Sequence, residues 1–169
     1  MITPTRSALA AICAFAAISG TAHASEADFL RRFHGSFAGN GQVRMEQGEA
    51  PHAITCRASG TATASSVNIN GTCSAGMMSK AISASLRASG NGRYTGTFNG
   101  IKGSASLSGR RSGNSIVLAV SGSEPATMTI SNSGSGISLS VVSNKEQMTS
   151  VRLARAGGSA GPQLASVSE

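Results

Sequence analysis

The sequence predicts an all-β domain, an antiparallel meander of about 8–10 strands forming a small barrel or curved sandwich, with a short N-terminal helix. Three observations carry that prediction. From Ser36 to Ala156, apolar residues alternate with Ser, Thr and Arg at a period of two, so each strand has one packing face and one wet face. Clusters of Gly, Ser and Asn interrupt the alternation at short intervals, and links this short force neighbouring strands to be antiparallel. Charged residues make up 12% and aromatic residues 4% of the chain, with no Trp, which excludes a coiled coil and a charged helical bundle.

The chain opens with Arg6, an unbroken apolar run from Ala8 to Ile18, and Ala22-His23-Ala24, a small-x-small cleavage pattern. Residues 1–24 therefore read as a signal peptide, with Ser25 as the mature N-terminus and the periplasm or the exterior as the expected location. The run is too short to span a bilayer, and Cys13 lies inside it rather than at its end, where lipidation needs it. No later segment is apolar enough to cross a membrane as a helix, so no transmembrane segment is expected in the mature chain.

Residues 25–34 read as the helix. Ser25 is a cap residue, Glu26 and Asp28 follow early, and Phe29, Leu30 and Phe33 share one face. That face is expected to plug or cover the sheet. The β-domain then occupies 35–156, with strands near 36–46, 52–58, 65–73, 80–88, 92–99, 101–109, 114–121, 126–132, 136–143 and 148–156. Phe37, Val43 and Met45 share a parity, as do Ile82, Ala84 and Leu86, Tyr94 and Phe98, and Ile137, Leu139 and Val141. Gly39 and Gly41 in the first strand read as a bend or bulge. The inward residues are mostly small or medium, which suits a narrow, flattened or tightly twisted barrel better than one with a roomy cavity. Residues 157–169 are rich in Gly, Ser and Ala and read as a disordered tail.

Removal of the signal leaves Cys56 and Cys73. An exported chain with two cysteines most simply joins them, and both have inward parity on adjacent strands, where facing Cβ atoms lie within disulfide reach. Without Arg6, the remaining 13 basic residues outnumber the 7 acidic ones by 6. That charge is spread along the chain. Only Arg31-Arg32 and Arg110-Arg111 are adjacent, and Arg110 with Arg111, near a hairpin tip, is the candidate anion contact.

Chemistry is hard to assemble from what remains. A Ser-His-Asp triad would have to draw on His34, His52 and Asp28, and no nucleophile elbow appears. Glu46, Glu49 and His52 read as a solvated turn and strand start, and the few acids are too dispersed for a metal site. No catalytic residue, metal or cofactor is expected, and the protein is expected not to be an enzyme. Nucleic acid is not an expected partner, because Phe37, Tyr94 and Phe98 all share the inward parity and leave no stacking platform. An outer-membrane barrel is disfavoured by the scarcity of aromatics and the Ser-rich face.

Several stretches resemble a known group of sequences. They are Gly35-Ser36-Phe37-Ala38-Gly39-Asn40-Gly41-Gln42-Val43-Arg44, Cys56-Arg57, Gly71-Thr72-Cys73, Tyr94-Thr95-Gly96-Thr97-Phe98, Leu107-Ser108-Gly109-Arg110 and Ser150-Val151-Arg152-Leu153. The chain is similar in them to the uncharacterised small exported (periplasmic) β-domain family common in alphaproteobacteria, in which Phe37 stands where Trp is frequent. The resemblance implies export, a barrel-like fold and the Cys56–Cys73 bond, and brings no site residues.

The leading expectation is a non-catalytic periplasmic envelope protein that binds an envelope component, an anionic glycan or lipid headgroup, or a periplasmic protein partner. One alternative is a lipocalin-like carrier of a small apolar ligand, which requires an interior void lined by Ile, Leu, Met and Phe. Another is a periplasmic protease inhibitor acting through an exposed segment such as residues 25–34.

Overall fold

The structure is a computed structural model that describes residues 25–157. The expected signal peptide and the tail from residue 158 lie outside the described residues. One helix, α1 (Glu26–Arg31), precedes ten strands: β1 (Gly35–Val43), β2 (His52–Ala62), β3 (Ser66–Ala75), β4 (Met78–Ala88) and β5 (Arg93–Gly100), then β6 (Gly103–Ser112), β7 (Ser115–Ser121), β8 (Ala126–Asn132), β9 (Gly136–Ser143) and β10 (Glu146–Arg155). Every strand pairs antiparallel with its sequence neighbours, and β1 also pairs with β10, closing the barrel. Closure removes both sheet edges, so each strand's backbone polar groups find partners within the ring. The structure thus selects the barrel over the sandwich.

The turns follow from the residues in them. Asn144 and Lys145, both at positive φ, form the tight link between β9 and β10, a conformation matching the twist of the flanking strands. The glycines of β1 act differently from the bulge read in the sequence. The ladders on both sides of β1 are continuous from Phe37 to Val43. A Cβ at Gly39 would run into the Arg152 carbonyl and the Leu153 backbone, so glycine here permits close approach in a tightly coiled wall.

The one break in register among the paired strands of the β9–β10 ladder lies between Gln147 and Thr149. This bulge leaves Met148 without a partner on β9 and turns it inward, where it is buried. Strict alternation back from Val151 would have put Thr149 inward and Met148 outside.

Helix α1 closes one end. Ser25 Oγ accepts from the Asp28 N–H at 3.1 Å, Glu26 and Asp28 occupy the first turn, and Arg31 occupies the last. The helix is shorter than the stretch 25–34 read in the sequence, because residues 32–34 form a turn leading to Gly35. Phe29, Leu30 and Phe33 are buried, and with Phe37, Tyr94, Ile116 and Leu118 they form the main core. The plug is fastened from several strands. Arg155 donates to the His34 and Arg32 carbonyls at 2.6 and 2.9 Å. The Asn132 side-chain amide also donates to the Arg32 carbonyl, at 2.8 Å. The Arg32 carbonyl, at the helix C-cap, is one that a helix end leaves unpaired.

Candidate functional site

The other end of the barrel is built differently. The main core fills the half beneath the helix, and a smaller cluster of Val43, Ile54, Cys56, Cys73 and Val151 lines the far half. That far half is hollow, with a cavity of about 220 Å³. Its wall is mostly apolar, drawn from alternate residues of the strands: Ile82, Phe98, Met128, Leu139, Val141 and Met148 among others. At the rim stand Arg44, Met45, Lys102 and Glu124.

This corrects the narrow barrel inferred from the small inward residues. Diameter grows with strand number, and around ten strands Ala105, Ala126 and Gly122 are too small to meet across the lumen. The helix supplies the missing bulk at one end, and nothing among the described residues supplies it at the other.

The mouth carries its charges in pairs. Lys102 Nζ lies 3.3 Å from Glu124 Oε2, and Arg44 Nη1 lies 3.5 Å from Glu146 Oε1. Glu146 also accepts from the Gly48 N–H at 3.0 Å, and Arg44 donates to the Glu49 carbonyl, so the β1–β2 loop is tied to β10 at the rim. These are partly exposed ion pairs, individually worth about 0–1 kcal/mol. They order the entrance more than they stabilise the domain. Met77 and Met78, on the β3–β4 turn at this same end, are exposed.

The residues singled out in the sequence fall in three places. Cys56 and Cys73 face each other across β2 and β3, at disulfide distance, and their side chains line the cavity. Arg110 and Arg111 do not act together. They are consecutive residues near the end of β6, so their side chains leave opposite faces of the wall. Arg111 is taken up by the plug: Nη1 lies 3.3 Å from Glu26 Oε2, Nε donates to the Gly113 carbonyl at 2.9 Å, and the guanidinium lies 4.1 Å from the Phe29 ring centre. It is a fastening of the helix rather than an anion contact. Arg110 stays exposed on the outer wall. Glu46, Glu49 and His52 are exposed near the mouth, as the sequence suggested.

Met148 and the rim pair Lys102–Glu124 escaped the sequence reading. Met148 depends on a bulge that alternation does not reveal, and Lys102 and Glu124 are 22 residues apart on turns whose proximity follows only from closure. Among the described residues, no three His, Cys, Asp or Glu side chains gather where a metal ion would be held, and no helix is long and apolar enough to cross a membrane.

A helix-plugged antiparallel barrel with a hollow, apolar open half is the class of protein that these features define. Compared with family models and with curated proteins, the chain has no match. Among solved structures it is similar to the crystal structure of Rv2717c from M. tuberculosis, with a TM-score of 0.57 and 14% identity over 78% of this chain and 98% of that one. At that identity the likeness is one of fold.

Proposed function

We propose that this protein is a non-catalytic carrier that takes one small apolar molecule into the open half of its barrel, working in the periplasm after export. The observation that carries this reading is the cavity: about 220 Å³, walled by Ile, Leu, Met and Phe, and sealed at one end by a packed helix. An apolar cavity of roughly 150 Å³ takes up benzene, so this one has room for a single ring with a short chain or a medium-length acyl chain. Binding is driven by apolar burial, about 0.8 kcal/mol for each methylene removed from water. The rim ion pairs leave the entrance polar, which favours a ligand with an apolar body and a polar end at Lys102 or Arg44.

Of the three readings drawn from the sequence, the carrier fits the hollow interior best. A protease inhibitor acting through residues 25–34 is poorly served, because Phe29, Leu30 and Phe33 are buried inside the barrel. The test is saturable binding of n-butylbenzene, a single ring with a short chain, followed by isothermal titration calorimetry, to wild type and to Ala105→Phe. Ala105 lines the cavity, so a phenyl group there fills the space. One site in the wild type and at least about tenfold weaker binding in the variant support the reading. Equal binding by both, or none by the wild type, defeats it.

A further inference from the structure

The outer wall carries a feature that the cavity does not use. Charge is segregated along the barrel axis. At the open end Arg44, Lys80, Lys102 and Lys145 stand among Glu46, Glu49, Glu124 and Glu146, and the signs cancel. Toward the closed end the cations are all arginines, and the acids among the described residues are Glu26 and Asp28, which pair with Arg111 and Arg31.

Within that arginine-rich half, Arg87, Arg93 and Arg110 come together. All three leave the outer face of adjacent strands, β4, β5 and β6, and all are exposed. Arg93 is directly opposite Arg110 in the β5–β6 ladder. Arg87 is opposite Thr95, two residues from Arg93 on the same face. None of the three makes an ion pair among the described residues. Like charges directly opposite are unfavourable in an antiparallel pair. A shared anion removes that cost, and the planar fork of arginine matches phosphate and sulfate oxygens two at a time.

We propose that Arg87, Arg93 and Arg110 form a binding surface for an anionic glycan, a sugar chain bearing sulfate or phosphate groups. Three observations favour a glycan over other polyanions. The outward neighbours are hydroxyls, Ser85, Thr95, Thr97, Ser106 and Ser108, which suit a polyhydroxylated chain. Tyr94 and Phe98 point inward, so this wall offers no platform on which bases stack. The exposed methionines, Met77 and Met78, lie at the opposite end of the barrel, so apolar insertion into a bilayer does not coincide with the arginines. The surface is separate from the cavity and stands or falls independently of the carrier reading.

Heparin is the probe. Its affinity for the full chain is measured from 50 to 300 mM salt for wild type, for Arg87→Gln/Arg93→Gln/Arg110→Gln and for Lys80→Gln/Lys102→Gln/Lys145→Gln, which removes the same charge at the open end. The arginine variant is expected to lose on the order of a hundredfold in affinity at 50 mM salt and about 2 in the slope of log K against log salt, while the lysine variant loses less than about threefold. Circular dichroism checks that both variants remain folded, which outward Gln substitutions on a wet face should allow. Equal losses in the two variants would reduce the effect to overall charge and overturn the proposal. So would wild type that ignores heparin, or wild type that binds phosphatidylglycerol–phosphatidylcholine vesicles more tightly than heparin through the same arginines.

Discussion

Replacing Phe29 with Ala removes the central side chain of the helical plug while leaving the cavity wall untouched. Phe29 is fully buried, its ring meets that of Phe33 edge-on at 5.4 Å, and the Arg111 guanidinium lies 4.1 Å from its centre. Truncation of a buried Phe costs about 3–5 kcal/mol through lost transfer energy and the residual void. The edge-on pair and the cation–π contact, the latter to a largely buried arginine, belong to the upper part of that range. A loss of about 4 kcal/mol is a large share of the 5–15 kcal/mol that holds an ordinary domain together. Urea unfolding followed by circular dichroism should show the midpoint falling by about 2 M with the slope unchanged, taking a slope near 2 kcal/mol/M. The same variant should keep its affinity for n-butylbenzene within about threefold, because distant sites act independently. A stability loss under about 1.5 kcal/mol would mean that the helix is not an integral part of the core. A stability loss with a collapse of probe binding would mean that the two halves of the barrel do not act separately.

Three further outcomes are expected. Tyr94 is buried and its hydroxyl has no hydrogen-bond partner among the described residues, so Tyr94→Phe should leave thermal stability unchanged or raise it by about 1 kcal/mol, where a drop beyond that would reveal a partner. Cys56→Ala/Cys73→Ala opens a link of sequence separation 17, and denaturant titration should show about 3 kcal/mol lost on the chain-entropy model. Arg93→Gln removes one of two facing cations, and thermal unfolding at low salt should show a gain of about 0.5 kcal/mol that shrinks as salt is added.

The strands, the helix and the cysteine pairing were legible because each is written in local order. Period-two alternation marks Ile54, Cys56 and Ala58 as inward wherever the strand lies, and Ser25 followed by Glu26 and Asp28 marks a helix start whatever covers it. Quantities set by the ring as a whole were not legible. Side-chain size along each strand suggested a narrow lumen, yet the lumen's width is a property of ten strands together. The bulge at Met148 reverses local parity without a glycine or proline to announce it. The arginine cluster shows the same limit: Arg110 and Arg111 are adjacent in sequence and leave opposite faces, whereas Arg93 and Arg110, 17 residues apart, face each other through register.

The pairing of β1 with β10 also fixes the order in which the barrel can be completed. Gly39 faces Leu153, so the first strand waits for the last before its second row of hydrogen bonds can form. The nine hairpin pairings between sequence neighbours are local and can form early, but closure is a contact between the two ends of the domain, and such long-range contacts slow folding. A chain that stops before β10 would expose two long strand edges, on β1 and β9, and is expected to associate through them rather than persist as a smaller barrel.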